Sequence, residues 1–220
     1  MKIAPILSVL PVEQKQVWPE LKDVPKDFVL YGGTAVALRF GHRQSVDFDF
    51  FTSRQGCDLK KISETIPVIQ KYPHEATLVT PGQVDLLLLV DGKGVKMTFL
   101  NNRDIVAGCI NTPDIANDNN IKIASPLDLM ACKILALHNR SEAKDFYDVA
   151  EMVRNGISLQ KGFEAAFAIA KLSRLRGKQL MLNRLQEDFK ARSTEKILAE
   201  YPDKTISAKA HDFADILNLT

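Results

Sequence analysis

The chain has 220 residues, of which 45% are apolar and 25% charged, enough for one large domain or two small ones around a substantial core. Its net charge of +2 neither marks nor excludes a nucleic-acid partner until the charges are located along the chain. Cys57, Cys109 and Cys132 are scattered without a C-x-x-C pair, which predicts reduced structural thiols in a cytoplasmic protein, and the N-terminal apolar run, broken by Pro5 and Pro11, is too short for a secretory core or a membrane span.

Taken in chain order, residues 11–21 predict a first helix. Residues 27–31 (DFVLY) form a strand, which Gly32-Gly33 breaks. A short helix over 34–40 stops at Gly41, a polar loop covers 42–45, and a second strand covers 46–51. After a turn at 53–58, Leu59, Ile62, Ile66 and Ile69 at helical spacing predict a helix over 59–69. A break at 73–77 precedes strands at 84–90 and 95–100, joined through DGKG as a hairpin with two residues more than the shortest turn.

The loop-like stretch 101–120 divides an α/β core (1–120) from a helical C-terminal region (121–220). There Ser125-Pro126-Leu127-Asp128 combines a capping serine, a first-turn proline and an acid that complements the helix dipole. That helix runs to about 138. Others follow from near 141 to 156 and over 159–170, 174–190, 195–200 and 207–217.

The chemistry concentrates in residues 28–52, FVLYGGTAVALRFGHRQSVDFDFFT. Strand, Gly32-Gly33 and helix start together offer backbone N–H groups at a positive helix end, with the Thr34 hydroxyl beside them: a ready phosphate cradle, though such a turn is ordinarily only a tight turn. In the second strand Asp47 and Asp49 alternate with Val46, Phe48 and Phe50. The two acids share a face roughly 6.5–7 Å apart at the backbone and repel each other unless a proton or a cation such as Mg²⁺ lies between them. Arg43 can fork onto a phosphate, with Ser45 close by. The four histidines form no ligand pair, and His42 alone lies inside this stretch.

Two residues further on extend the set. Lys133 interrupts the apolar helix SPLDLMACKILAL, so it either snorkels out or meets an anion. Asp145 lies at the edge of the apolar stripe of KDFYDVAEMV, with Asp148 placed further towards solvent and Lys144 facing it. Residues 171–192 hold seven basic side chains against two acidic ones, an excess of +5 that could steer a polyanion or simply be a solvated helix face.

Three motifs, GGTAVAL at 32–38, GHRQSVDFDFF at 41–51 and SPLDLMACKILAL…KDFYDV between 125 and 149, resemble the nucleotidyltransferase-like AbiEii/AbiGii toxins of bacteria over roughly residues 27–154. The resemblance implies a polymerase-β-type nucleotidyltransferase fold, α/β (α+β): a mixed sheet with flanking helices, followed by a helical C-terminal region. It further implies that Gly32, Gly33 and Thr34, with Arg43, Ser45 and Lys133, bind an NTP, that Asp47 and Asp49 hold Mg²⁺, and that Lys133 and Asp145 complete the catalytic set.

An RNA acceptor similar to tRNA and a cognate antitoxin partner follow from the same resemblance. Sites of this type usually carry a third carboxylate on a neighbouring strand. Here VKMTFL offers Met97 and Thr98 instead, leaving Asp85 and the turn residue Asp91 as substitutes. Two other readings fit the same residues: a non-catalytic binding module with a degenerate site, and a transferase acting on a small-molecule or protein hydroxyl.

Overall fold

A computed structural model describes residues 1–54, 56–101, 111–140, 142–170 and 180. It is a mixed α/β structure, as the sequence predicts. Its strands are β1 (Lys2–Ile3), β2 (Val29–Tyr31), β3 (Asp47–Thr52), β4 (His74–Thr80), β5 (Gln83–Val90), β6 (Lys93–Asn101), β7 (Asp114–Ala116) and β8 (Lys122–Ile123). They form one eight-stranded sheet in the order β1-β7-β8-β2-β3-β6-β5-β4. Its helices are α1 (Val12–Val17), α2 (Gly32–Phe40), α3 (Leu59–Glu64), α4 (Pro67–Lys71), α5 (Pro126–Asn139), α6 (Ala143–Arg154) and α7 (Leu159–Ala170).

The strand carrying the two aspartates lies inside the sheet, antiparallel to β2 and parallel to β6. Phe48, Phe50 and Thr52 are fully buried on one face, and Asp47, Asp49 and Phe51 are half-buried on the other. Aromatic packing fixes this orientation. Phe50 stacks on Phe99 at 5.6 Å between centroids, Phe28 meets Phe99 edge-on at 5.4 Å, and Trp18 lies against Phe48 at 6.2 Å. A one-residue slip of β3 would exchange phenylalanines for aspartates in the core, so the hydrophobic pattern sets the register.

Several sequence expectations change in detail. The first helix is shorter and continues as 3-10 turns through Trp18–Asp23. Helix α2 starts at Gly32 rather than at Thr34, and Gly41 stops it with φ +69°. Val46 is 58% exposed and precedes β3. The helix expected over 59–69 divides at Pro67, which opens α4 and cannot donate a hydrogen bond back into α3.

The hairpin turn is only Asp91-Gly92, with φ of +49° and +79°, and Lys93 and Gly94 belong to β6. The break expected at 73–77 is the start of β4, an edge strand exposed along its whole length. Residues 114–116 and 122–123 add β7 and β8 where a loop and the domain boundary are expected. Ser125 caps α5 by accepting from the Asp128 amide. The helices expected at 174–190, 195–200 and 207–217, and the basic run 171–192, lie outside the described residues.

Candidate active site

Sequence and register place the Gly-Gly turn against the aspartates. Tyr31 pairs with Asp49, so the residue after β2 sits beside the Asp49 side chain. Gly32 has φ +72°, and a Cβ there would collide with the Asp49 carboxylate. At Gly33 a Cβ would collide with the Arg43 guanidinium. No side chain caps the first turn of α2. Its amides therefore remain available to a ligand, at the positive end of a nine-residue helix.

Gly32→Ala is accordingly expected to weaken nucleotide binding at least tenfold, because the φ of +72° suits glycine and the Asp49 carboxylate occupies the space of a Cβ. Titration of a fluorescent NTP analogue checks this, and unchanged affinity would remove the turn from the site.

Thr34 is fully buried, and its hydroxyl bonds Ser45 Oγ at 2.9 Å and the Asp47 carbonyl. It can donate to the carbonyl while accepting from Ser45, an arrangement that clamps the 42–45 loop to α2 and β3. Thr34 thus shapes the turn, and Ser45 is 8% exposed beside it.

The Asp47 and Asp49 carboxylates make no hydrogen bond or ion pair with any described residue. Burial, then the neighbouring Asp47 charge, pushes the Asp49 carboxyl up to about 6, against the opposing pull of Lys133 and Lys96. Two unneutralised hard oxygen donors fit a divalent cation of the Mg²⁺ type. Among the described residues no third His, Cys, Asp or Glu joins them in a group that could hold one. The rest of a coordination shell would have to come from water and substrate phosphates.

Neither substitute for a third carboxylate takes that place. Asp85 lies two strands away through the register Asp49–Thr98–Asp85, roughly 9.6 Å at the backbone, and is held by Gln83 at 2.8 Å. Asp91 sits in the hairpin turn and accepts from Gln16 at 2.7 Å.

A second group of charges lies behind the first, and its hub is Asp148. This corrects the solvent-facing placement expected for Asp148, which is fully buried. Oδ1 accepts from Arg43 Nε at 2.6 Å and lies 2.7 Å from His42 Nε2, and Oδ2 accepts from Arg43 Nη2 at 2.8 Å. Lys133 Nζ lies 2.7 Å from Asp148 Oδ2 and 2.7 Å from Asp145 Oδ1. Arg140 Nε reaches Asp145 Oδ2 at 3.0 Å.

Burial alone would raise the Asp148 carboxyl. Instead the Arg43 and Lys133 charges, with hydrogen bonds from Arg43 and His42, hold it well below the usual carboxylate range. Lys133 is raised for the reciprocal reason, with the Asp148 and Asp145 charges outweighing its burial. Lys133 therefore neither snorkels out nor waits unpaired for an anion. It donates a hydrogen bond to Asp145 and pairs its charge with Asp148, and it also lines the cleft.

Two clefts meet at Gly32, Asp49, Lys96, Lys133 and Arg140. One, of about 460 Å³, takes in Gly33, the 43–47 loop and Lys144. The other, of about 470 Å³, runs between β3, β6 and α5 and is lined by Phe51, Leu100, Leu129 and Cys132 among others. The structure thus brings Gly32, Gly33, Arg43, Ser45, Asp47, Asp49 and Lys133 to the same clefts, with Asp145 directly behind Lys133.

Sequence reasoning left out Lys96, Arg140 and the inward role of Asp148. The three-residue spacing of Asp145 and Asp148 was a signal that they share a helix face. Lys96 offered the strand alternation that puts it on the same face as Thr98.

The family model described as "Nucleotidyl transferase AbiEii toxin, Type IV TA system" matches residues 21–218. A protein of Aquifex aeolicus (strain VF5), described as "Uncharacterized protein aq_aa25", is 35% identical over 133 residues, and the match spans 58% of each chain, so that just over half of that relative's length is covered. Two crystal structures from Helicobacter pylori are similar in fold. One is of a protein described as a nucleotidyltransferase, with TM-score 0.58, 16% identity, and coverage of 94% of this chain and 89% of that one. The other is of JHP933, with TM-score 0.57, 16% identity, and coverage of 94% and 87%. Among the described residues no helix is long and apolar enough to cross a membrane.

Proposed function

Because the chain belongs to the AbiEii nucleotidyltransferase toxin family, we propose that it transfers a nucleotide from an NTP to an RNA hydroxyl, with Mg²⁺ on Asp47 and Asp49, as the cytoplasmic toxin of a pair whose antitoxin binds it. One observation carries this reading: two mutually repelling carboxylates, unpaired among the described residues, stand directly beside an uncapped Gly-Gly helix start in a cleft of about 460 Å³.

The Gly32–Gly33 amides hold the leaving phosphates, and Lys133 adds its charge at the cleft. Arg43 and Asp145 act through the buried cluster. Arg43 and Asp148 fix the 42–45 loop, and Asp145 holds Lys133 and Arg140 at the cleft. Asp47 and Asp49 would hold a divalent cation, which would supply charge neutralisation at the phosphoryl group. The acceptor oxygen bonds to the α-phosphorus as the bond from that phosphorus to the pyrophosphate oxygen breaks. Pyrophosphate leaves with the electron pair, and the hydroxyl proton passes to water.

The test is incubation of the full chain with each labelled NTP, Mg²⁺ and total RNA. Wild type should label RNA with at least one nucleotide, and Asp49→Ala should not. Equal labelling by both proteins with all four nucleotides would defeat the reading. A second reading, a non-catalytic module that docks on a partner, is favoured by the lack of a third carboxylate beside the pair among the described residues. Induced expression separates the two: growth arrest abolished by Asp47→Ala supports chemistry, and arrest untouched by it supports docking.

A further inference from the structure

We propose that Lys96 binds the last internucleotide phosphate of a polynucleotide acceptor and so positions its terminal hydroxyl at the reacting centre; this rests on the nucleotidyltransferase reading above. The other four cations lining the clefts are already engaged. Arg43 holds Asp148 at 2.6 Å, Lys133 holds Asp145 and Asp148 at 2.7 Å, Arg140 holds Asp145 at 3.0 Å and Lys144 holds Glu142 at 2.7 Å. Lys96 differs: its nearest carboxylate, Asp85, is 3.4 Å away, the contact is not a hydrogen bond, and its side chain is 44% exposed. Only the lysine end of that long pair is exposed, and Asp85, which is buried, keeps its hydrogen bond from Gln83 at 2.8 Å, so the ammonium can exchange the contact for a phosphate while Asp85 stays hydrogen-bonded.

Position makes this cation specific. Lys96 pairs with Asp47 across the parallel β3–β6 ladder and lines both clefts. The Gly-Gly turn follows β2, on the other side of β3. Turn, aspartates and Lys96 therefore stand in that order across three adjacent strands, spanning roughly 9.6 Å. In a phosphoryl displacement the attacking and leaving oxygens lie roughly in line on opposite sides of phosphorus. With the leaving phosphates on the turn, the acceptor enters from the β6 side, where Lys96 is the cation that β6 brings to the cleft and Phe51 and Leu100 give an apolar wall for a base. A hydroxyl flanked by a phosphodiester, as at the 3′ end of RNA, meets all three groups. A neutral hydroxyl on a protein or small molecule leaves Lys96 without a role.

The experiment uses the full chain, a short fluorescent single-stranded RNA, and the same RNA with a neutral methylphosphonate at its last linkage. Binding is followed by anisotropy and transfer by label incorporation. Lys96→Gln should raise the Kd and KM for RNA about tenfold and leave the KM for NTP within twofold. Its dependence of log affinity on log salt should lose a slope of about 0.7, the share of one phosphate on a single strand. Lys96→Arg should restore most of the affinity. Wild type should bind the methylphosphonate RNA as weakly as Lys96→Gln binds the natural one, and combining the two changes should add nothing.

Unchanged RNA affinity in Lys96→Gln, a rise in the NTP KM instead, or additive losses would overturn the assignment. If wild type transfers nucleotide to no RNA, the nucleotidyltransferase reading fails on its own, and the anisotropy comparison still decides Lys96. Absence of both transfer and binding overturns both.

Discussion

Asp49→Asn is expected to abolish nucleotide transfer, by at least about a thousandfold, while making the metal-free protein more stable at neutral pH. The two effects have one origin. Burial and the adjacent Asp47 charge raise the Asp49 carboxyl to about 6 from 3.8. A group raised on folding favours the folded state below its unfolded value, and that contribution is lost as pH climbs through the folded one. The native chain therefore pays for an ionised Asp49 above pH 6, by about 3 kcal/mol for a shift of this size.

Asparagine keeps the shape and removes the charge. Urea unfolding in chelator should show little difference between variant and wild type below pH 3.8 and a growing advantage for the variant up to pH 7. Adding Mg²⁺ should narrow the gap by stabilising wild type alone. A wild type that is the more stable of the two in chelator at pH 7 would mean that Asp49 is satisfied by the fold itself, and its assignment to a cation would lose its support.

That strain was half-legible in the sequence. Strand alternation is a strict period of two, so Phe48 and Phe50 in the core dictate that Asp47 and Asp49 share the other face. The glycine stop at Gly41 and the serine cap at Ser125 were readable for the same kind of reason, being local chemistry within a few residues. What could not be read is who neutralises whom. Arg43 and Asp148 are 105 residues apart, and their pairing depends on how α6 packs against α2 and the loop that follows it. A local reading therefore put Asp148 towards solvent and kept Arg43 for phosphate. Edge strand β4 was missed because an exposed strand needs no apolar alternation to mark it, and Lys96 because a lysine on a strand is ordinarily only a solvated one.

The largest stability loss is expected at Asp148. Replacing it with alanine leaves Arg43 and Lys133 buried near each other with one shared counter-charge fewer and strips His42 Nε2 of its partner, while His42 Nδ1 already has none among the described residues. Breaking a buried ion cluster by removing one member costs about 3–5 kcal/mol, because the remaining charges are neither solvated nor paired. In a chain of this size that lowers Tm by roughly 10 °C.

The wild-type contribution has a defined pH window. Asp148 is held below its unfolded value, so its stabilisation is full above that value and disappears as acid protonates the folded carboxylate. The Tm gap between wild type and Asp148→Ala should therefore close towards low pH. Pairing the change with Lys133→Met should cost less than the sum of the single changes, since each removes the charge that the other leaves stranded. Additive losses would mean that the two residues stabilise the fold separately. Because the same carboxylate grips Arg43, and Arg43 lies where a Cβ on Gly33 would otherwise stand, the surviving folded fraction of Asp148→Ala should bind NTP more weakly than wild type: the buried cluster holds the loop that shapes the phosphate turn.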